Sequence, residues 1–552
     1  MPTPPAAACR PVAILRHGET LIDDFAWLRD RDDPAVTEYL TAENDYAASV
    51  LAPLVSLQDR FYKEMLGRIK ETDLSVSVRL NGYWYYTRTE EGKQYAIHCR
   101  RKDGPTQGRE EVLVDVNVLA EGKPFLALGD FNVSDDTTRL AYSTDETGFR
   151  QYTLHLRDLA TGADLPFARE RVTSVAWMND SHAFYYTIEH PETKRSYQLW
   201  HHRPGMHEDT LVYEERDEAF NVSVHRTRDR KWLLLQCGSH TTSECRAAPA
   251  DAENAEWRVL LPRRADIEYD VDHHPSLDSF VIRINDTGRN FRLVRAPAND
   301  VRRATLKEVV PHRDDVMLEG HDCFADWLVL TERQRGVPQL TVCRRNGQPY
   351  RIAFPEPVYE AYLQGNPEWE IGTLRIGYQS LVTPSSVYDY DLATRERTLL
   401  KQQEIVGGYD ASRFVSERLE ARAADGTMIP ISLVRRADVR NDGKAPCLLH
   451  GYGSYGYPYP VAFSSGRLSL LERGIVVAIA HIRGGGELGK AWHDAGRMAH
   501  KMNTFTDFIS AAEHLASTRR VSRKRIAIEG GSAGGLLMGA VTNLRPDLFA
   551  AV

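Results

Sequence analysis

The chain opens on a helical period. Asp33 stands where a cap belongs, Pro34 takes a first helical position, and Val36, Tyr39 and Leu40 share one face, so residues 20–70 read as helical. A second helix is predicted from Leu57, Phe61, Met65 and Ile69, which recur every fourth position as a stripe that must pack on something. From about residue 73 the period drops to that of β-strands, and the pattern repeats. Strand cores begin at Tyr83, Leu140, Phe184, Trp232, Phe280, Trp327 and Leu374, at spacings of 57, 44, 48, 48, 47 and 47 residues. Second alternating strands follow in QYAIHCR from Gln94, QYTLHLRDL from Gln151, QLWHHR from Gln198, FRLVRAP from Phe291, QLTVCRR from Gln339 and SVYDYDL from Ser386.

A β-repeat of 40 to 50 residues is the pattern of a propeller, whose four-stranded blades bury their faces only against one another. Seven repeats predict seven blades. No WD40 or kelch signature accompanies them, so the count rests on spacing.

After residue 405 the pattern changes again. A hairpin turning at Asp425-Gly426 joins VSERLEARA to MIPISLVRR. Then PCLLHGYG, GIVVAIAHIRGGGELG, TFTDFISAAEHLAS and KRIAIEGGSAGGLLMGAVTNL alternate strand and helix, which predicts a mostly parallel sheet covered by helices. The organisation expected is a helical segment over 1–72 packed on the last domain, a propeller over 73–405 and an α/β domain over 406–552.

Composition narrows the function. A chain of 552 residues exceeds one hydrophobic core, and 42% apolar with 26% charged residues describes a folded protein. Sixty-nine basic against 77 acidic residues leave a net charge of −8, which argues against nucleic acid and anionic membrane as partners. Seven scattered cysteines without a C-x-x-C pair suit a reducing compartment and no zinc site. With neither a secretory leader nor an apolar run of about 18 residues, the expected location is cytoplasmic, away from the membrane.

The chemistry centres on Gly530-Gly531-Ser532-Ala533-Gly534, a G-x-S-x-G directly after the apolar strand 526–528 and before a helix expected to start near Gly535. In that context the serine sits on a strained strand-to-helix turn. Its hydroxyl is the nucleophile, Gly530 and Gly534 permit the tight backbone, and the Ala533 amide faces the oxygen of a tetrahedral intermediate. Upstream, His450-Gly451-Tyr452-Gly453-Ser454-Tyr455-Gly456 follows another strand and offers the second oxyanion donor, either a backbone amide or the Tyr452 hydroxyl. The bland alternatives are a Gly-rich turn with an idle serine and a Gly/Tyr turn without a catalytic part.

Weaker signals read as structure. His201-His202 and His273-His274 are adjacent on strands and point to opposite faces, so neither pair chelates one metal. The loop Arg483-Gly-Gly-Gly-Glu487 lacks the frame and the lysine of a phosphate cradle and fits a loop bordering the active site. The charge run Glu214 to Glu218 reads as solvated surface. No cofactor is implied.

These residues resemble the prolyl oligopeptidase family of serine peptidases, and within it the oligopeptidase B branch. The resemblance runs through HGETLIDDFAWLRD, NGYWYYTRTEEGKQYAIHCR, RQYTLHL, HGYGSYG, FSSGRLSLLERG, RGGGELG, NTFTDF and GGSAGGLLMGAVTNLRPDLF. GYGSYG and Ala533 point to the branch. The resemblance implies Ser532 as nucleophile, Tyr452 as side-chain oxyanion donor, a propeller capping an α/β-hydrolase domain, and short peptides cut after Arg or Lys. Pro460 and Ala462 stand where some members carry acids for a second basic residue, which weakens a dibasic preference.

In this fold the acid and the histidine follow the nucleophile. Only 20 residues follow Ser532, with Asp547 the one acid and no histidine among them, and His450, His481, His493, His500 and His514 come in the wrong order. The expected α/β-hydrolase domain is therefore incomplete at its C-terminus, and the chain alone is expected to be essentially inactive. Ending a sheet there is also expected to leave an uncovered edge and poor solubility. Two competing readings remain: a truncated pseudoenzyme using its propeller as a binding module, and a lipase or esterase with the same elbow.

Overall fold

A computed structural model describes residues 3–205, 208–345 and 347–552. Two compact units divide the chain, Met1–Ile69 and Lys70–Val552. In the first, a hairpin pairs Val12–Arg16 with Glu19–Asp23 around His17 and Gly18, both at positive φ as a tight hairpin turn requires. Residues 19–23 are thus strand, where the sequence pattern suggested helix from residue 20. Helix α1 spans Pro34–Leu51, and the Asp33 carboxylate accepts the Ala35 N–H at 2.9 Å, so cap and proline act as predicted. Helix α2 spans Val55–Leu66 and closes at Gly67, so Ile69 falls beyond the stripe assigned to it.

The second unit begins with seven antiparallel sheets, residues 73–115, 127–169, 172–214, 221–259, 269–310, 316–351 and 360–402; the last six are four-stranded meanders, and in the first the short strands Asp73–Leu74 and Val78–Leu80 both pair with Tyr83–Thr89. These are the seven blades. Every predicted strand core lies on the strand that is second across its blade, from Tyr83–Thr89 in the first to Thr373–Gln379 in the seventh. That strand is flanked on both edges and buries both faces against neighbouring blades, which is why its apolar run is the most regular signal in the repeat. Blade four hid its third strand, Ser243–Pro249, because Ser, Cys, Arg and Ala carry no strand alternation. Between blades three and four the packing is aromatic and aliphatic, with Tyr185, Leu233, Leu235 and Trp257 in one core. Among the described residues no strand is shared between blades seven and one. Side chains join them instead: the Arg375 guanidinium donates to the Ser77 carbonyl at 2.5 Å, and Lys401 pairs with Asp73 at 2.5 Å.

The α/β domain follows. Strands β1 (Phe414–Arg422), β2 (Met428–Arg436), β3 (Cys447–Gly451), β4 (Val476–Ala480) and β5 (Ile526–Glu529) form one sheet in the order β1-β2-β4-β3-β5. Strands β4, β3 and β5 run parallel, and the antiparallel β1-β2 hairpin joins them through β2, which pairs β4 antiparallel, so the sheet matches the expected class. Helices α3 (Lys501–Ser517) and α4 (Ala533–Leu544) cover it through Phe508, Ala512, Leu515, Leu537 and Val541, all buried in one core with Ile431, Leu449 and Ile526. On the far side of β5 the Ala550 N–H donates to the Ile526 carbonyl at 2.7 Å, and the Ile528 N–H to the Ala551 carbonyl at 3.0 Å.

Candidate active site

Buried Ile526 and Ile528 hold β5 in the sheet, and the chain must then reverse sharply to enter α4. Ser532 makes that reversal at φ 57° and ψ −119°, a conformation costly for any side-chain-bearing residue. The strain leaves Ser532 exposed above the sheet. The two flanking glycines follow from close approach. A Cβ on Gly530 would stand 2.5 Å from the Gly534 carbonyl oxygen, and one on Gly534 would stand 2.9 Å from the Gly451 carbonyl oxygen. Helix α4 starts at Ala533, two residues before the expected position, so the Ala533 N–H lies at the positive end of the helix dipole. Among the described residues that N–H has no acceptor, as an oxyanion donor requires.

The same contact brings in the second loop. A Gly534 Cβ would lie 3.7 Å from the Tyr452 ring, so Tyr452, half-buried after β3, borders the elbow. Its ring packs edge-on to Tyr457 at 5.8 Å and near Tyr459 at 6.5 Å. Lys501, at the start of α3, ties the loop down, donating to the Gly453 carbonyl and the Ser454 hydroxyl at 2.8 Å each. Burial lowers the pKa of this lysine.

The Arg483 to Glu487 loop packs on this one backbone to backbone. A Cβ on Gly484 would meet the Gly453 carbonyl oxygen at 2.2 Å, and one on Gly486 the Gly456 carbonyl oxygen at 2.1 Å. Those glycines serve close packing, as expected of a loop beside the site. Arg483 anchors the loop by a fork to buried Asp507, at 2.8 and 2.6 Å, and reaches Asp425 at 2.5 Å.

Sequence patterns gave no warning of what grips residues 459–463. The Tyr459 N–H donates to Glu487 at 2.9 Å, the Val461 N–H to Glu360 at 2.8 Å and the Phe463 N–H to Gln379 at 3.2 Å. Three alternate amides are held by side chains, two of them from blade seven. Blade seven and the α/β domain thus share a strap that leads directly from the Tyr452 loop. Burial raises the Glu360 pKa, with Arg333 opposing.

The upstream histidines take other partners. His481 is buried between the Ser432 hydroxyl at 2.7 Å and Glu487 at 3.2 Å, and His450 stacks near Tyr459 at 4.1 Å with its pKa lowered by burial. Among the described residues, none of the histidines bonds to Ser532. In the propeller, His202 pairs with Asp209 at 2.7 Å and His273 with Asp229 at 2.6 Å. The charge run needs one correction: Glu215 is buried, accepting Arg263 at 2.6 Å and the Tyr213 hydroxyl at 2.8 Å, because the chain turns inward there between blades.

A cavity of about 320 Å³ opens beside Tyr455 and Gly456, walled by Lys490 and His493 on one side and Glu268, Phe291 and Glu319 of blades five and six on the other. Lys490 pairs across it with Glu268, and the α/β domain and blade five are also joined by the Arg289–Asp494 pair at 2.5 Å.

Comparison with known proteins decides the family. Residues 4–403 match the prolyl oligopeptidase N-terminal β-propeller domain, and residues 461–552 match the prolyl oligopeptidase family. The chain belongs to the prolyl oligopeptidase family. It is 42% identical to dipeptidyl aminopeptidase BI of Pseudoxanthomonas mexicana over 572 residues, covering 99% of this chain and 78% of that protein. It is 35% identical to Protease 2 of Moraxella lacunata, covering 97% and 78%. Among solved structures, oligopeptidase B from Leishmania major superposes with a TM-score of 0.92 at 33% identity, over 99% of this chain and 81% of that one. Oligopeptidase B from Trypanosoma brucei, in a closed form with covalently bound antipain, gives 0.92 at 32%, over 100% and 81%. The family is one of serine peptidases, and the resemblance to its oligopeptidase B branch, read from sequence, holds. Among the described residues no helix is long and apolar enough to cross a membrane.

Proposed function

We propose that this protein is a serine peptidase of short peptides, working through an acyl-enzyme. The Ser532 hydroxyl attacks the peptide carbonyl, and the Ala533 N–H and the Tyr452 hydroxyl receive the oxyanion. The observation that carries this reading is the strained, exposed Ser532 at the N-terminus of α4, with the Tyr452 loop against Gly534. A preference for Arg or Lys follows the oligopeptidase B branch, and a cytoplasmic location follows the cysteine usage.

Attack requires a base for the Ser532 proton. Removing a triad base costs on the order of 10⁶ in turnover. With no histidine bonded to Ser532 among the described residues, these 552 residues by themselves are proposed to be inert. The test is hydrolysis of an arginyl amide by the native gene product and by Ser532→Ala. Loss of turnover in the variant supports the peptidase. Undiminished cleavage, or ester cleavage without amide cleavage, rejects it, and absence of any cleavage favours a propeller-based binding module.

A second reading has a specific support. The 42% identical relative is named a dipeptidyl aminopeptidase, so removal of dipeptides from free N-termini competes with internal cleavage. N-terminally acylated and free peptides of one sequence separate the two: the exopeptidase spares the acylated form.

A further inference from the structure

We infer a second ligand site, for a small aromatic carboxylate, between blades five and six on the face of the propeller away from the α/β domain. A pocket of about 240 Å³ opens there. Its floor follows from strand register. Cys323, Leu328 and Cys343 stand opposite one another across three strands of blade six, and Val281 stands opposite Arg295 in blade five. These residues face the inter-blade core, where buried Val281, Leu293, Cys323 and Leu330 meet. The pocket is the place where that core stays open to solvent.

Its location separates it from Ser532. Glu268, just before the first strand of blade five, touches Lys490 of the α/β domain, whereas His274, at the other end of that strand, lines this pocket. Six residues of strand put about 20 Å between the two ends.

The chemistry of the walls selects the ligand. Trp327 supplies a flat apolar surface, and the Arg344 guanidinium lies 5.5 Å from its ring centre. Arg295 and Arg345 also line the pocket, and among the described residues none of the three guanidiniums has a carboxylate within 4 Å. Asp326 is the one acid in the lining, which leaves two positive charges in excess. His274, 8% exposed, buries its Nδ1 with no partner, an unusual vacancy for a polar atom. Burial, with Arg345 nearby, lowers the pKa of this imidazole, and the Ala325 backbone opposes that shift. Burial also raises the thiol of Cys343 to about 11, so it serves as apolar lining and not as a nucleophile. An apolar floor, an aromatic wall and guanidiniums without a carboxylate partner fit a ring system bearing one carboxylate. Guanidinium groups both stack on such rings and fork to such acids. The volume lies below that of pockets for drug-sized ligands, so the ligand is no larger than two fused rings.

The inference does not depend on peptidase activity, and its test does not either. Isothermal titration of the protein with naphthalene-2-carboxylate is expected to show saturable binding of one molecule per chain. Naphthalene-2-methanol, which lacks the charge, is expected to bind at least tenfold more weakly, as is the acid to Arg344→Ala or to exposed Arg345→Ala. Val309→Trp, which fills the pocket mouth from an exposed strand position, is expected to abolish binding, and circular dichroism verifies that each variant folds. Absence of saturable binding to the folded protein, equal binding of acid and alcohol, or unchanged binding in Val309→Trp would overturn the assignment.

Discussion

The Glu360 carboxylate of blade seven accepts the backbone N–H of Val461 at 2.8 Å, in the strap that leads out of the Tyr452 loop. Both partners are largely withdrawn from water, so the amide has no substitute acceptor if the carboxylate is removed. Glu360→Ala is expected to cost about 1–3 kcal/mol, the penalty of an unsatisfied buried group. Glu360→Gln keeps an acceptor and should cost less. Hydrogen exchange at the Val461 amide reads this directly, and unchanged protection in Glu360→Ala would exclude the role.

The same carboxyl makes a pH prediction. Its folded pKa is raised, so the folded state binds the proton more tightly than the unfolded chain. Its contribution is full below the unfolded carboxylate range and is lost as pH rises through the raised folded pKa. Relative to Glu360→Gln, the wild type should therefore lose stability on going from acid towards neutral pH, measured by denaturant midpoints.

The elbow glycines are not equivalent. Gly530→Ala and Gly534→Ala push a methyl onto backbone carbonyls at 2.5 and 2.9 Å and should each destabilise by about 1–3 kcal/mol. Gly531→Ala meets no atom within 4 Å and should fall within about 0.5 kcal/mol of wild type. Equal effects at all three positions in thermal melts would mean that close packing is not what these glycines provide.

This contrast shows what sequence can and cannot disclose. The G-x-S-x-G turn was legible because strand, turn and helix are local, and the blades were legible because a buried second strand repeats its apolar run. Glu360 and Gln379 were not, since their partners lie about 100 and 84 residues away and an acid in a strand carries no periodicity. Glu215 was misread as surface for the same reason: its partner Arg263 is 48 residues distant. Ala533 as first helical residue was missed by two positions because helix ends are set by cap geometry, which propensity does not encode.

Asp507 is fully buried and answers Arg483, while Asp425, the third member, is half-exposed. Asp507→Ala leaves the buried guanidinium with only the half-exposed Asp425 as partner and should cost up to about 3–5 kcal/mol. Asp425→Ala should cost less than about 1 kcal/mol, because water screens that contact. Chemical denaturation of the two variants side by side checks the order.

The central claim is that Ser532 is the nucleophile. The most direct measurement is the intact and peptide mass of the native gene product after treatment with a peptidyl-arginine diphenyl phosphonate, alongside Ser532→Ala. The account predicts a single adduct mapping to Ser532 and none in the variant. An adduct on another residue, or an equal adduct in Ser532→Ala, would contradict it.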